Sequence, residues 1–584
     1  MIGKIQRVKL REVWKHEALD FTTWLGHRDR LLVLVLASAA LIIVSVLISR
    51  SPNMTSGGME SVIPIHNLLA GNGYTFRGET QLMWPPGYGI LQYLLFIPLR
   101  DIELAAMWTA GLSYVLLIPL VFVGVRSMSG RSAALLASLF VLLFPPLIQV
   151  SYLSISDASF ALVLVASFHL FAKTLIEGPT VRRSIGLGLL LGFAYLIRPE
   201  ALPIATGVIA IVLIRSFWLR PRSRPLLAGL GRSQIAPGLV AAAFLFLAIP
   251  YIAFLRVETE TWMFSGKLSS NLVTGEWVVE GRAHHDRMWI EQRELFEGGY
   301  PIDLFRYIRE RGDRFATRIL KNGKREAQTL LSFTAYAWMP LAGVGLLTFV
   351  LMRRSLLRLV PIGSRQYLIG LVFAVYLSPL PFLLLFYIRG RFLVPYSVLG
   401  LMLLAAVIAW LLSQLSKTRS TRFMRVTYAV VAGVVAVVLL FPPNVPKVGQ
   451  AESLQSVLSN RTPHGPLREA GFWLSQHATD LEQTTVISVR GAQIPMFYAA
   501  GKVEPVGEWI NLTPFMTLDE ASQLVRSGEA DYLLLADRNI GDHEDLVNLW
   551  RNPASARDFG LELVTDPSVA FQFYQAVRDD SALR

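Results

Sequence analysis

Residues 51–88 bring acidic, basic and aromatic side chains together in a polar stretch between two apolar ones. Glu60 and His66 lie in this stretch, and carboxylates and imidazoles are groups that move protons in enzymes. Tyr88 closes the run WPPGY, whose aromatic rings favour the membrane–water interface. We therefore expect a loop held against a bilayer, where an enzyme for lipid-attached substrates would place its chemistry. For His66, a hydrogen-bonded structural role is the alternative.

Three arginines add an anion-binding character to the same side of the predicted bundle. They are Arg198, Arg389 and Arg391, and Lys267 of the long outer loop is a further candidate. Ionisable groups at membrane depth are costly and usually face a partner or a cavity, and the arginine fork binds two phosphate oxygens at once. Together with the acids Asp157 and Glu200, these side chains indicate a site for an anionic ligand. Snorkelling at a helix end is the alternative for each arginine taken alone.

The composition predicts a polytopic helical membrane protein. Hydrophobic residues make up 53% of the 584 residues and charged ones 17%, and apolar runs of about 20 residues recur along the first three-quarters of the chain. The absence of cysteine excludes disulfides, a thiolate nucleophile and Cys-ligated zinc. The net charge of +13 lies mostly in short loops, where it orients helices, so nucleic acid is not expected as a partner.

Basic residues also predict the topology, with the amino terminus inside and the carboxyl terminus outside. The eleven predicted spans are about 31–49, 102–125, 132–150, 158–174, 184–197, 201–217, 236–255, 329–352, 366–388, 392–413 and 426–441. Residues 87–99 are apolar but too short to cross a bilayer, so we predict an interfacial helix there. Counting them as a crossing would place Arg126 and Arg131 outside.

The chain divides into three predicted parts: a basic cytoplasmic terminus (1–30), a transmembrane domain (31–441) and a soluble extracytoplasmic α/β domain (442–584). The transmembrane domain includes a first outer loop with juxtamembrane helices (51–101) and a long outer loop (256–328). In the last part, the predicted strands are 485–489, 531–536 and 561–564, and the predicted helices are 467–476, 518–526 and 543–550.

Four runs, in this order and on the predicted outer side, resemble the GT-C glycosyltransferases, in particular the protein mannosyltransferase and aminoarabinose lipid A transferase group (glycosyltransferase family 39). The runs are NLLAGNGYTF…PPGYGIL, YLSISDASFALVL, GLLLGFAYLIRPEAL and RGRFLVPYSVLGLMLL. The resemblance covers about residues 30–410. It implies an all-α polytopic membrane protein of GT-C type, to which the C-terminal α/β domain is appended.

The resemblance also implies a function. The donor would be a polyprenyl-phosphate-linked sugar, transferred with inversion to a lipid-linked, glycan or protein acceptor outside the plasma (inner) membrane. Asp157 matches the acid of the family's second outer loop, so it and Glu60 are the catalytic candidates. The donor-phosphate candidates are Arg198, Arg389, Arg391 and Lys267, and the other substrate-binding candidates are His66, Tyr88 and Glu200.

Two departures from the family's pattern concern the first outer loop. Where the family has its catalytic aspartate, this chain has Gly57-Gly58-Met59, and Glu60 is the nearest acid. Trp84 stands where some relatives have a lysine before the double proline. A polytopic protein that has lost the chemistry therefore remains an alternative.

Three further alternatives stay open. A transporter or flippase would also be polytopic, but it should show internal repeats and broken helices at mid-depth. No cofactor is expected, while His284-His285-Asp286 leaves a divalent metal open as a weaker alternative. Residues 302–321 fit either an interfacial helix or an amphipathic cover over the bundle.

Overall fold

A computed structural model describes residues 26–50, 54–218, 232–267, 309, 317, 319–324, 365–380, 390–416, 465–488, 493–502, 504–511, 517–536 and 544–577. The helices of its first part are α1 (His27–Arg50), α2 (Ser56–Leu69), α3 (Pro86–Leu99), α4 (Ile102–Ser129), α5 (Arg131–Leu142), α6 (Pro145–Tyr152), α7 (Asp157–Glu177), α8 (Val181–Ile197), α9 (Ala201–Trp218), α10 (Arg232–Thr259), α11 (Arg365–Leu377) and α12 (Val394–Ser416). A two-stranded ribbon, β1 (Thr75–Phe76) and β2 (Glu79–Thr80), follows α2.

Apolar helices long enough to cross a membrane dominate this part, and the chain is a multi-pass membrane protein. Within the described ranges, five helices qualify by length and composition, or six if α5 and α6 form one bent span. The bend is 56° and falls at Pro145-Pro146, where the missing N–H groups and the rings interrupt a helix. The predicted spans 329–352 and 426–441 lie outside the described residues, so the count of eleven stays a prediction.

Helix α3 is short, as predicted for residues 87–99. It has 14 residues, so it is about 21 Å long and falls short of a hydrocarbon core of about 30 Å. Pro86 begins the helix, and Arg100 ends it in the left-handed conformation. Gly89 lets α3 lie directly on α2, because a Cβ there would overlap the Ser61 carbonyl group.

The C-terminal part contains a five-stranded sheet with helices around it. The strands are β3 (Thr485–Ser488), β4 (Glu508–Asn511), β5 (Tyr532–Ala536), β6 (Leu561–Leu563) and β7 (Phe571–Ala576), in the order β4-β3-β5-β7-β6. Strand β3 pairs in parallel with β4 and β5, and β7 pairs antiparallel with β5 and β6. The helices are α13 (Gly465–His477), α14 (Gln493–Ala499), α15 (Leu518–Ser527) and α16 (Glu544–Arg551), and a 3₁₀ turn covers Pro553–Phe559. The three predicted strands overlap β3, β5 and β6.

The C-terminal part packs on the first outer loop through one shared core. Met59 and Val62 of α2 are fully buried in the same apolar cluster as Met496 and Phe497 of α14. Glu103, at the start of α4, is buried at the edge of this contact. The Tyr498 hydroxyl donates to its carboxylate at 2.5 Å, and Lys502 Nζ lies 2.6 Å away. The two parts are therefore joined by both apolar and ionic contacts.

Candidate functional site

An open cavity of about 320 Å³ lies between the first outer loop and the ends of α7 and α8. Its lining residues are Gly57, Ser61, Trp84, Tyr88, Ile155, Ser156, Asp157, Arg198, Lys267, Arg391 and Phe392. Five separate stretches of the sequence that carried candidate side chains therefore meet around one space, although Glu60 and Glu200 are not among the lining residues. Arg389 lies outside the described residues.

The start of α2 is fixed against the loop before α7, and this places its first turn at the cavity. Thr55 caps α2 by accepting from Gly58 N, and its own N–H donates to Ser154 Oγ at 2.8 Å. A Cβ on Gly58 would come within 2.7 Å of Ser154 Cβ, so only glycine fits this contact. Around Gly57, in contrast, the space is open. Glu60 follows Gly57 by three positions and therefore lies one turn further along nearly the same face.

Glu60 is partly buried and holds a hydrogen bond on each carboxylate oxygen. Trp84 Nε1 donates to Oε2 at 2.5 Å, and Gln493 Nε2 donates to Oε1 at 3.3 Å. Burial raises the pKa of Glu60 to about 7, although the Trp84 hydrogen bond and the charges of Lys267 and Arg391 oppose the rise. A carboxyl group with a pKa near neutrality is suited to proton transfer.

Lys267 is buried between two aromatic rings. Its Nζ lies 4.1 Å from the ring centroid of Trp84 and 5.5 Å from that of Phe392, so both rings can stabilise the ammonium group. Burial lowers the pKa of Lys267 to about 7; the Glu200 carboxylate opposes this change, while Arg198 and Arg391 add to it. An anionic ligand in the cavity would restore its full charge.

Arg198 forms a buried ionic bridge at the end of α8. Its Nη1 lies 2.7 Å from Asp157 Oδ1 and its Nη2 lies 3.0 Å from Glu200 Oε1. Burial would raise the pKa of Glu200, but the charges of Arg198 and Lys267 outweigh this effect and lower it. Both carboxylates are thus held close to one guanidinium group, whose Nε has no hydrogen-bond partner among the described residues.

The remaining predicted residues divide into two groups. Tyr88 lines the cavity, and burial together with the Asp157 charge raises its pKa. His66 does not line it: its ring packs against Tyr93 and Phe96 of α3. The expectation that His66 faces the site is therefore wrong, because six positions turn a side chain about 240° around a helix and point it away from Glu60.

Three contributors were not identified from the sequence. Trp84 contacts both Glu60 and Lys267. The ring centroid of Phe392 lies 5.0 Å from the Arg198 guanidinium carbon. Gln493, in the C-terminal part, donates a hydrogen bond to Glu60. Phe392 could have been found from its position beside Arg391. The sequence carries no signal for Gln493.

No group of three or more His, Asp or Glu side chains with a metal-binding arrangement occurs in the part of the chain that the structure describes. His284-His285-Asp286 and most of residues 302–321 lie outside that part, so the predictions made for them remain predictions.

The fold is shared with solved membrane enzymes. ArnT from Cupriavidus metallidurans, bound to undecaprenyl phosphate, has 14% identity and a TM-score of 0.51, over 93% of this chain and 97% of that one. The oligosaccharyltransferase AglB from Archaeoglobus fulgidus, with an inhibitory peptide and a dolichol-phosphate, has 13% identity and a TM-score of 0.50, over 88% of this chain and 70% of that one. The Archaeoglobus fulgidus oligosaccharyltransferase with zinc and sulfate has 14% identity and a TM-score of 0.51, over 86% and 68%. No family model and no curated protein matches the sequence.

ArnT and AglB are both GT-C glycosyltransferases. The fold and the membrane helices therefore define this chain as a membrane protein of the GT-C fold, and the resemblance found in the sequence is confirmed at the level of the fold.

Proposed function

We propose that this protein is an inverting glycosyltransferase that moves a sugar from a polyprenyl-phosphate donor to an acceptor hydroxyl. The observation that carries the proposal is a carboxyl group with a pKa near 7, Glu60, which accepts a hydrogen bond from the cavity-lining Trp84 and lies within electrostatic reach of Lys267 and Arg391, two further residues of the cavity wall. A base and a phosphate-binding group are what such a transfer requires. The solved ArnT and AglB complexes with polyprenyl or dolichol phosphate support the choice of donor.

In the proposed reaction, the acceptor oxygen attacks the anomeric carbon and its proton passes to Glu60. The new C–O bond forms as the bond between the anomeric carbon and the phosphate oxygen breaks. Both bonding electrons of that bond leave with the polyprenyl phosphate, which gains one negative charge. Because attack comes from the side opposite the phosphate, the configuration inverts without a covalent sugar–enzyme intermediate.

Three cations would receive the leaving phosphate: Arg198, Lys267 and Arg391. Lys267 is the one whose charge would respond most to an anionic ligand, because burial lowers its pKa to about 7. It also supplies an explanation for Trp84. The lysine that some relatives carry at this point is absent, and the ammonium group that lies 4.1 Å from the centroid of the Trp84 ring comes from position 267 instead.

Asp157 and Glu200 are proposed to keep Arg198 in place and extended toward the cavity. Their ion pairs give both acids a structural role in addition to the catalytic one predicted for Asp157. Tyr88 forms part of the wall on which the sugar or acceptor would lie.

We further propose that the cavity faces the outside of the plasma membrane, with the amino terminus in the cytoplasm. Arg126 and Arg131 pair with the buried Asp29 at 2.8 and 2.7 Å, at the end of α4 opposite to the C-terminal part. Thr80 and Ser129 are exposed, so cysteines introduced there into this cysteine-free chain can be labelled. A membrane-impermeant thiol reagent should label Thr80→Cys in intact cells and Ser129→Cys only after permeabilisation. The reverse pattern would contradict the orientation.

The function is tested by incubating the purified protein with a panel of radiolabelled polyprenyl-phosphate sugars. Even without its acceptor, an active site of this kind should release sugar slowly to water, and Glu60→Gln should abolish the release. Absence of release from every donor, with and without membrane extract as a source of acceptor, would contradict the proposal.

A further inference from the structure

Gln493 is the single described residue of the C-terminal part that hydrogen-bonds the Glu60 side chain. It is the first residue of α14, 433 positions away in the sequence, and its Nε2 donates to Glu60 Oε1 at 3.3 Å. Trp84 Nε1 donates to the other oxygen at 2.5 Å. With one donor on each oxygen, the plane of the carboxylate is fixed from two directions.

Helix α14 is itself fixed relative to α2, so the Gln493 contact is not incidental. The Tyr498 hydroxyl accepts from Met54 N, just before α2, at 3.0 Å and donates to Glu103 at the start of α4. Lys502, three positions beyond α14, lies 2.6 Å from the other Glu103 oxygen. The shared apolar core covers the same contact. These contacts therefore hold Gln493 in place next to Glu60.

We infer that Gln493 is a positioning residue for Glu60, so that the C-terminal part completes the active site of the proposed transferase. The inference rests on the proposed function for its catalytic consequence. Gln493 does not touch the substrate: it fixes the orientation of the carboxylate, and each Glu60 oxygen keeps a second lone pair for the acceptor proton. Precise orientation of a catalytic group is a large part of its effect on rate.

The charges around Glu60 add to the effect of this hydrogen bond. The Trp84 hydrogen bond, Lys267 after α10 and Arg391 before α12 all favour the ionised carboxylate. A donor such as Gln493 Nε2, 3.3 Å from Glu60 Oε1, acts in the same direction. Burial favours the neutral form. Removing the Gln493 donor should consequently move the protonation of Glu60 to higher pH and leave the cations untouched.

Gln493→Met tests the inference because methionine has a similar length and cannot donate. We expect kcat to fall about 10-fold, KM for the donor to stay within about twofold, and the acid limb of kcat/KM to move to higher pH. Gln523→Met, on the exposed face of α15, is the matched control and should change none of these. If Gln493→Met does not fold, Gln493→Ser keeps a polar residue at the start of α14 but cannot reach Glu60.

An infrared pH titration of the Glu60 carboxyl band, assigned with Glu60→Gln, separates this inference from the proposed function. It requires no turnover. If the wild type releases sugar from no donor, the proposed function fails, while a higher titration midpoint in Gln493→Met would still support the positioning contact. An unchanged midpoint and an unchanged kcat in Gln493→Met would overturn the inference.

Discussion

Replacing Lys267 by arginine should remove the alkaline limb of the pH profile. The raised pKa of Glu60, about 7, means that the base form appears as pH rises through 7. The lowered pKa of Lys267, also about 7, means that its charge is lost over the same interval. Since kcat/KM reports the groups of the free enzyme, the wild type should give a narrow bell centred near pH 7. Arginine stays charged throughout, so only the acid limb should remain.

The size of this effect follows from the two values. The active form has Glu60 ionised and residue 267 charged. If the two wild-type groups titrate independently, each with a pKa of about 7, about a quarter of the molecules are in this form at pH 7 and about 1% at pH 9. In Lys267→Arg, the fraction in the active form would rise from about half at pH 7 to nearly all at pH 9. The ratio of kcat/KM at pH 9 to that at pH 7 should thus be roughly 50-fold larger in the variant.

The measurement is the initial rate of sugar release at low donor concentration between pH 5 and 10. Lys173→Arg, near the far end of α7, is the control and should retain the wild-type bell. An alkaline fall of the same size in Lys267→Arg would refute the assignment of that limb to Lys267.

Three other changes probe the base, the ionic bridge and the contact between the two parts. Glu60→Gln should reduce turnover at least ~100-fold with little change in donor KM; near-normal turnover would remove Glu60 from the mechanism. Asp157→Asn should lower the free energy of unfolding by about 3 kcal/mol, because the buried Arg198 then keeps only the Glu200 carboxylate as an ion-pair partner. An unchanged unfolding midpoint in detergent would contradict this. Lys502→Met removes the cation 2.6 Å from the buried Glu103 carboxylate, so limited proteolysis should cut the C-terminal part faster than in the wild type. Cleavage at the wild-type rate would show that the ion pair is dispensable.

The membrane helices were largely predictable because their signal is local. Residues 87–99 were predicted as a short interfacial helix, and α3 covers Pro86–Leu99. Residues 132–150 were predicted as one span, yet the chain bends by 56° at Pro145-Pro146. The double proline was visible in the sequence and should have weighed against a straight helix.

The site was predictable where charge or the family resemblance carries the signal, and it was not predictable where long-range contacts do. Arg198 and Lys267 were chosen for their charge on the predicted outer face, Asp157 was chosen from the resemblance to the family, and the structure brings the three together. His66 was misplaced because the rotation of α2 depends on where the helix begins. The Gln493 contact spans 433 positions, and no local pattern could reveal it.

The central claim, that Glu60 is the base of a transferase site, is tested most directly by moving the acid. In a Glu60→Gln background, Gly57→Asp places a carboxylate one turn earlier on α2, at a cavity-lining position with open space around its Cβ. Sugar release should partly recover in this double variant, and it should not recover with Gly57→Asn, which has the same shape without the charge. Gly58→Asp is the positional control, because its Cβ would lie 2.7 Å from Ser154 Cβ. Equal release from Glu60→Gln and the wild type, or equal recovery with aspartate and asparagine at position 57, would contradict the account.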